Sequence, residues 1–490
     1  MRQNIAQAIL AASISGARAV VPNYTTAEAG NPFVDGWYAD PDTEIYDGLY
    51  WVYPTSSYNY EEQTYLDAFS SPDLINWTKH PNILTNDNVS WAKGAVWAPA
   101  PISRNAKYYI YFGANDIQED DTTTVGGIGV AVSDSPGGPY ADAIGSPLIG
   151  EYHNGAQPID QDVFIDDDGQ AYIYYGGHSH ANVALLNEDM TSLGTFPDGT
   201  QFKEITPTNY VEGAQMFKRA GTYYMMWSEG GWTGPDYAVS YAMADSPLGP
   251  FERKAKILQQ DLAVATGSGH NGVINVPGTD IWYIVYHRRP LGDDNGNHRQ
   301  LAYDRMYFND DGSIADVVML VKDDFEDGDT IGWTTYDGGW SVADGQLKAE
   351  TSNGGKALLN TNFTGLVYDA DITIVSGVGD AGLLFRTTSP SSGLNAFDGY
   401  YAGISTNGTV TLGKANGGWT EIGAAKLDIF NTDVQYHVRV TAVGAKISVF
   451  VADMETAKIA ITDETYTEGQ DGVRVSAVEA LFDNVSVARP

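Results

Sequence analysis

The sequence predicts an all-β protein, a five-bladed β-propeller followed by an antiparallel β-sandwich of the jelly-roll type. The 490-residue chain is rich in Tyr, Trp, Gly, Asp and Thr, which favour short strands and turns. A motif with adjacent aromatic residues recurs five times between residues 47 and 287, and the composition changes near residue 320. A chain of this length exceeds the size at which single cores stop growing, so we expect two domains.

Residues 1–22 are either a secretory signal peptide or an N-terminal extension. Arg2 precedes a modestly apolar run from Ile5 to Ile14, and the later Ala-Arg-Ala has the form of a cleavage site. Gln7 and several serines interrupt the run, as they would in a frayed terminal helix. A signal peptide would make the protein secreted. Glycosylation sequons agree with that expectation and begin at Asn23, Asn76, Asn88, Asn362, Asn407 and Asn484.

The five repeats predict a propeller over residues 23–320. They read DGLYWVYP, NAKYYIYFG, DGQAYIYYGG, AGTYYMMWS and TDIWYIVYH, and their second aromatic residues lie 52 to 63 positions apart. This spacing suits a small sheet of about four strands. Five such sheets arranged radially protect their edges by repetition. A TIM barrel of similar size would need amphipathic helices, and we find no sustained helical periodicity.

Residues 321–490 form the second predicted domain. Alternating apolar runs such as YDADITIV, AGLLFR, YHVRVTAV and ISVFVAD indicate the strands of an antiparallel sandwich.

Charge and composition exclude several classes of partner. The formal net charge of −36 disfavours nucleic acids and anionic membranes, because a surface this negative repels phosphate. No apolar run is long enough to span a membrane. The absence of cysteine excludes disulfides, thiolate nucleophiles and thiolate metal sites.

The repeats also align residues that carry chemistry. Eleven to thirteen positions before each second aromatic the chain has Asp40, Trp97, Asp160, Glu212 and His270. Equivalent positions of propeller blades converge on the central channel. Two carboxyl groups with a third nearby are the equipment of glycoside hydrolysis, and aromatic rings stack on the apolar faces of sugars. We expect Asp40 to be the ionised base, and the charge of Asp160 to keep the acid Glu212 protonated.

Six motifs in order resemble glycoside hydrolase family 43, whose catalytic domain is a five-bladed propeller. They are YADPD, WAPAPI, PIDQDVFIDDDG, YVEGAQMFKRAGTYYMMWS, GSGHNGVI and YHRR, within residues 30 to 320. The resemblance implies an inverting mechanism in which Asp40 is the general base, Asp160 the pKa modulator and Glu212 the general acid. Inversion implies carboxyl groups roughly 6.5–9.5 Å apart. The family usually has Pro where Gln161 follows Asp160, which leaves Asp162 as an alternative modulator.

The resemblance implies further contacts. His270 is expected near the channel centre, where it contacts a calcium or sodium ion through water or is simply a hydrogen-bonded core residue. Arg299 is expected to contact substrate and carboxylates, with Arg305 as the alternative. The walls of the pocket are assigned to Trp37, Trp97 and Trp232, each of which is equally well explained by packing between blades. No cofactor is required.

The C-terminal domain resembles laminin- or lectin-like jelly rolls related to carbohydrate-binding modules. Its GDAGLLFR, DGYYAGI, GGWTEIG and FDNVSV segments carry this resemblance. Trp419, Tyr400 and Tyr401 are candidates to stack on sugar. A cluster of acids is a candidate structural calcium site and comprises Asp323, Asp324, Glu326 and Asp327. The alternative is a sandwich that only supports the propeller.

The expected function is exo-acting release of α-L-arabinofuranosyl groups from arabinoxylan or arabinan of plant cell walls by a monomer. The GWYADP start with an appended sandwich resembles fungal arabinoxylan-debranching members of the family. A β-xylosidase acting on xylo-oligosaccharides and an endo-arabinanase remain alternatives. A non-catalytic glycan- or protein-binding propeller is the alternative from another class. A sialidase would need an arginine cluster that these motifs do not supply.

Overall fold

The structure is a computed structural model that describes residues 30–121, 123–351 and 353–490. Those residues contain strands and one short 3-10 helix, η1 (Asn86–Asn88), so the all-β prediction is confirmed. The predicted signal peptide or extension at residues 1–22 lies outside the described residues. Within the described ranges, no helix has the length and apolar character that a membrane span requires.

The first two blades are four-stranded antiparallel sheets with the strands in chain order. Blade one contains β1 (Tyr38–Tyr46), β2 (Leu49–Ser56), β3 (Tyr65–Ser71) and β4 (Thr78–Thr85). Blade two contains β5 (Trp97–Arg104), β6 (Lys107–Ala114), β7 (Gly127–Ser133) and β8 (Ala141–Asp142).

The third and fourth blades repeat this arrangement. Blade three contains β9 (Asp162–Ile165), β10 (Ala171–Tyr175), β11 (Asn182–Leu186) and β12 (Phe202–Glu204). Blade four contains β13 (Glu212–Arg219), β14 (Thr222–Glu229), β15 (Ala238–Ala244) and β16 (Glu252–Gln259). Blade five contains β17 (Thr266–Asn275), β18 (Trp282–Arg289) and β19 (Gln300–Met306).

The fifth blade has three strands, not the four that the repeat spacing predicts. After β19 the chain turns toward blade four, where the Val317 backbone N–H donates to Ile257 O at 2.7 Å. The exposed edge of β19 is instead covered by the side chain of Asn31. Its amide donates to Tyr303 O at 2.9 Å and accepts from Tyr303 N at 3.0 Å.

The aromatic repeats lie on the second strand of every blade and pack between blades. Trp51 and Tyr53 of β2, for example, share one apolar cluster with Ile110 and Phe112 of β6. A second cluster joins blade one to blade five and closes the ring. The core of the propeller is therefore divided among the spaces between blades, which leaves a central channel lined by the innermost strands.

The C-terminal domain is a sandwich built from thirteen antiparallel strands. They are β20 (Val321–Asp323), β21 (Trp333–Tyr336), β22 (Gly339–Ala343), β23 (Gln346–Glu350), β24 (Gly355–Leu359), β25 (Leu366–Thr388), β26 (Asp398–Ser405), β27 (Thr409–Asn416), β28 (Trp419–Lys426), β29 (Gln435–Val443), β30 (Lys446–Val451), β31 (Ile459–Thr462) and β32 (Gln470–Ala488).

Two long strands connect the layers of this sandwich. The first half of β25 pairs with β29, and its second half pairs with β26. Strand β32 pairs with β25 along its length, and the register shifts near Gly377, where φ is 103°. Bulges of this kind bend a strand, so each half of β25 and β32 contributes to a different layer.

Candidate active site

The innermost strands β1, β5, β9, β13 and β17 contact one another around the channel. In all five blades a residue with positive φ lies within this strand or up to two residues before it: Asp40 (47°), Ala98 (45°), Asp160 (53°), Gly213 (68°) and His270 (41°). Four of these residues lie in β-bulges, at shifts in the pairing of the inner strand with its neighbour. Bulges redirect side chains and are frequent beside active sites.

The structural repeat differs by one residue from the predicted alignment in two blades. Ala98 and Gly213 are the equivalents of Asp40, whereas Trp97 and Glu212 come directly before the bulge. Strands alternate the direction of successive side chains, so this offset changes what each blade presents. Counting from the aromatic motif has an uncertainty of one or two residues, which is enough to miss this distinction.

Asp40 is held by three basic side chains and is 9% exposed. Arg299 donates from Nη1 to Asp40 Oδ1 at 3.0 Å, and His287 Nδ1 accepts the backbone N–H of Asp40 at 3.1 Å. Burial alone would raise the pKa of the Asp40 carboxyl, but Arg299, His270 and His287 together outweigh burial and hold that pKa well below its usual range. Asp40 is therefore ionised at neutral pH, as a general base must be.

His270 lies between the two aspartates. Its Nδ1 is 3.4 Å from Asp40 Oδ1 and 3.6 Å from Asp160 Oδ2. Burial lowers the pKa of His270, so the ring is favoured in its neutral form. The pKa of Asp160 is raised well above its usual range by burial and by the charges of Glu212 and Asp40. The structure thus brings Asp40, Asp160 and His270 together.

Glu212 is partly exposed at the start of β13, where a substrate can reach it. Tyr237 donates its hydroxyl hydrogen to Glu212 Oε1 at 3.0 Å. Burial raises the pKa of Glu212 to about 7, the Tyr237 hydrogen bond opposes that rise, and the charge of Asp40 adds to it. We expected Asp160 to supply the neighbouring charge, but burial is the larger cause and the charge comes from Asp40. The carboxyl group has the proton affinity of a general acid.

The two alternatives left open by the motifs have different surroundings. Asp162 accepts from Gln215 Nε2 at 3.1 Å and from the Met216 backbone N–H at 2.6 Å, and it lines another pocket with Asp42. Arg305 lies over the rings of Tyr283 and Tyr307 at 5.3 and 5.0 Å, whereas Arg299 donates to Asp40. The geometry therefore favours Asp160 over Asp162, and Arg299 over Arg305.

The three predicted tryptophans are all partly exposed. Trp37 stacks on the His298 ring with centroids 4.3 Å apart. Trp232 lies 5.1 Å from the Arg299 guanidinium, which joins it to the Asp40 group. Trp97 packs edge-on against Tyr60 with centroids 5.0 Å apart. Each ring has a packing partner and is partly exposed, so packing is supported and the pocket-wall role stays a prediction.

Sequence reasoning missed two residues of the site. Tyr237 hydrogen-bonds the candidate acid, and nothing in its sequence neighbourhood distinguishes it from other aromatic residues. His287 contacts the candidate base and lies in the YHRR motif. That motif supports the family resemblance but does not by itself indicate a role for His287. Gly269 makes room for the Tyr237 ring, because a Cβ atom at residue 269 would collide with it.

The predicted cation sites have few ligands among the described residues. Within those ranges, no group of three or more His, Asp or Glu side chains is placed to bind a metal ion, near His270 or elsewhere. In the acidic cluster of the second domain, Asp323 already accepts the Trp333 indole N–H at 2.7 Å and the Phe325 backbone N–H at 2.8 Å. Both cation sites stay predictions.

Most of the aromatic residues predicted to bind sugar in the second domain are inaccessible. Tyr400 and Tyr401 are 0% and 1% exposed, because β26 is a central strand whose side chains enter the core. The prediction that these two tyrosines stack on sugar is therefore wrong. Trp419 is 36% exposed and remains the accessible ring of the three.

Comparisons with known proteins agree with this geometry. The family described as Glycosyl hydrolases family 43 matches residues 29–314, and the family described as 3-keto-alpha-glucoside-1,2-lyase-like domain matches residues 321–488. A beta-D-galactofuranosidase, xynD of Aspergillus niger, is 48% identical over 311 residues, 61% of this chain and 87% of the relative. An arabinoxylan arabinofuranohydrolase of Bacillus subtilis is 30% identical over 370 residues, 63% of this chain and 69% of the relative.

Among solved structures, a thermostable family-43 glycoside hydrolase is 27% identical with a TM-score of 0.50, covering 61% of this chain and 96% of the other. The match to the family model spans more than half of the chain and includes every residue of the Asp40, Asp160 and Glu212 group. This chain belongs to glycosyl hydrolase family 43 and is a glycoside hydrolase.

Proposed function

We propose that this protein is an inverting, exo-acting hydrolase that releases α-L-arabinofuranosyl groups from arabinoxylan or arabinan. One observation carries the proposal. Asp40 and Glu212 lie at starts of innermost strands, with the pKa of Asp40 well below its usual range and the pKa of Glu212 raised to about 7. A base and an acid with separated proton affinities are what single-displacement hydrolysis requires.

In this mechanism Asp40 accepts a proton from water as the water oxygen bonds to the anomeric carbon. Glu212 donates its proton to the glycosidic oxygen as the bond from that oxygen to the anomeric carbon breaks. The products are a free sugar of inverted configuration and the shortened polymer. Arg299 keeps Asp40 ionised before the reaction, and Asp160 with His270 fixes the position of the base.

The names of the relatives support a furanosyl substrate. The Bacillus subtilis relative is an arabinoxylan arabinofuranohydrolase, and the Aspergillus niger relative is a galactofuranosidase. The β-D-galactofuranosyl group is therefore the second candidate. It shares the ring configuration of α-L-arabinofuranose and carries one more exocyclic hydroxymethyl group. One methylene group in a hydrophobic pocket changes specificity by about 10–200-fold. Small differences in the pocket therefore decide between the two sugars.

Initial rates on three nitrophenyl glycosides test the substrate: the α-L-arabinofuranoside, the β-D-galactofuranoside and the β-D-xyloside. The proposal expects the arabinofuranoside to react fastest. A faster galactofuranoside or xyloside would move the assignment to that sugar.

Proton NMR of the product from arabinoxylan, recorded before mutarotation, gives the stereochemistry. A retained anomer would contradict the role of Asp40 as base, and oligosaccharides from debranched arabinan would indicate endo action.

The Glu212→Gln variant tests the acid. We expect turnover of arabinoxylan to fall by about 10²–10⁴-fold, because the sugar leaving group needs a proton. The loss on a nitrophenyl glycoside should be smaller, since nitrophenolate leaves without one. The matched control is Glu204→Gln, at an exposed residue that ends strand β12, which should retain full activity. Equal losses on both substrates would contradict general-acid catalysis by Glu212.

We further propose that the protein acts outside the cell as a monomer. Arabinoxylan is too large to enter a cell. Four sequon asparagines are exposed, which suits glycosylation during secretion: Asn76, Asn88, Asn407 and Asn484. Recovery from the culture medium of the producing cells, with a mass shift on deglycosylation, tests secretion. Light scattering tests the monomer, and a stable dimer would overturn it.

A further inference from the structure

We infer that a groove beside the catalytic group binds the polysaccharide backbone that remains after cleavage. This inference rests on the proposed function and names the part of the site that holds the leaving group. The groove has a volume of about 700 Å³ and is lined by residues of blades one and two. We call it the backbone groove and define it by Tyr60, Trp91, Lys93, Asn115, Asp116 and Val125.

The backbone groove adjoins residues that neighbour the catalytic group. Tyr60 is one wall of the groove, and its ring packs edge-on against Trp97 at 5.0 Å. At the other wall, Asp116 Oδ1 accepts from Gln157 Nε2 at 3.0 Å, three residues before Asp160. A polymer whose substituent enters the channel mouth would therefore place its next sugars against Tyr60 and Asp116.

The chemistry of the groove suits neutral sugars. Tyr60 and Val125 are 38% and 59% exposed, and such apolar surface stacks on the C–H faces of sugar rings. Lys93, Asn115 and Asp116 place hydrogen-bonding groups around it. The charged lining residues include both signs, which gives no preference for an anionic or cationic ligand. Apolar walls with a few polar groups are typical of small-molecule sites.

The groove is preformed by one side chain. Asn115 donates from Nδ2 to Trp91 O at 2.8 Å and to Val125 O at 2.6 Å, and its Oδ1 accepts the Lys93 backbone N–H at 2.7 Å. These bonds connect the two segments that form its walls. A site held in its bound shape loses less conformational entropy when a ligand binds. The structure thus assigns specificity for the polymer to residues outside the channel mouth.

The Tyr60→Ala variant tests the inference, and Tyr58→Ala is its matched control. The two tyrosines lie in the same loop and are 38% and 39% exposed, but only Tyr60 lines the groove. The measured quantity is kcat/KM on arabinoxylan divided by kcat/KM on nitrophenyl α-L-arabinofuranoside, which has no backbone. We expect Tyr60→Ala to lower this ratio about fivefold to tenfold, chiefly through KM, in line with losing one aromatic contact. The ratio of Tyr58→Ala should match the wild type.

A second variant, Val125→Asp, places a charge on an exposed position of the groove and should lower the same ratio. Binding of unsubstituted xylotetraose, measured by calorimetry, gives a readout that needs no turnover. Wild type should bind it, and both groove variants should bind it at least fivefold more weakly. Unchanged ratios and unchanged xylotetraose binding would overturn the inference. Failure of the proposed function would be distinguishable from failure of this inference, because the wild-type protein would then not cleave the arabinofuranoside.

Discussion

At the level of single side chains, Asp40 and Glu212 differ because their neighbours differ. Arg299 lies 3.0 Å from Asp40 and favours its charged form. Among the described residues no ion pair joins Glu212 to a basic side chain, and burial favours its neutral form. Tyr237 works against that burial by hydrogen-bonding the carboxylate. The single hydroxyl of Tyr237 therefore adjusts the pH at which the candidate acid loses its proton.

We predict that Tyr237→Phe moves the alkaline limb of activity to higher pH. Activity needs protonated Glu212 and falls as pH rises through its pKa of about 7. Removing the hydrogen bond destabilises the carboxylate, so this pKa rises, by about one pH unit. The measurement is kcat/KM on arabinoxylan across pH 4 to 10.

Tyr224→Phe is the control for this prediction. Tyr224 lies in the same blade, and its hydroxyl donates to Gly312 O at 2.7 Å, remote from the carboxyl groups. This change removes a hydrogen bond of similar kind and should leave the alkaline limb in place. An alkaline limb that moves to lower pH in Tyr237→Phe, or equally in both variants, would contradict the role of Tyr237.

The residues that carry the chemistry could be predicted from the sequence, whereas the residues that hydrogen-bond them could not. Asp40, Asp160 and His270 occupy equivalent blade positions, and the aromatic repeat located them. Tyr237 reaches Glu212 from the neighbouring strand across a contact that no local motif encodes. Tyr400 and Tyr401 show the reverse error, since a pair of aromatic residues in a strand pattern does not reveal that both faces of the strand are buried.

At the level of strands and blades, the ring is closed by a side chain in place of a fourth strand. Asn31 offers a donor and an acceptor with the spacing of a peptide unit, and it bonds both Tyr303 N and Tyr303 O. A strand edge presents unpaired backbone groups that need partners. Repeat spacing predicted five blades correctly but could not predict this edge, because a single asparagine leaves no periodic signal.

We predict that Asn31→Ala lowers the free energy of unfolding by about 1–3 kcal/mol, because two hydrogen bonds to the part-buried strand edge are lost. Asn31→Asp should be no more stable than Asn31→Ala at neutral pH, because one carboxylate oxygen would replace the donor that faces Tyr303 O. Thermal unfolding with a fluorescence readout measures both.

Asn309→Ala is the control for the strand-edge prediction. Its side chain donates to Ser313 Oγ at 2.9 Å in an exposed turn, so the change should stay within about 0.5 kcal/mol. A stability of Asn31→Ala equal to that of Asn309→Ala would show that the edge of β19 needs no partner.

At the level of the whole chain, the two domains share one core. The apolar cluster that includes Tyr224 and Val264 of the propeller continues through Phe325 to Tyr368 of the sandwich. Across the junction, Asn362 N donates to Ala263 O at 2.9 Å, and Arg489 pairs with Asp261. The change of composition near residue 320 located the second domain. It could not predict the shared core, since apolar residues of an interface look like those of either domain.

We predict that the full-length protein unfolds in a single calorimetric transition. Exposing the shared cluster when one domain unfolds alone would cost apolar burial in the other, which couples them. Val264→Asp places a charge in this cluster, where Val264 is 6% exposed, and should separate the transition into two. The control is Val318→Asp, close to the domain boundary but 64% exposed, which should keep one transition. Two resolved transitions in the wild type would mean that the interface contributes too little free energy to join the domains, and that the sandwich is attached to the propeller without stabilising it.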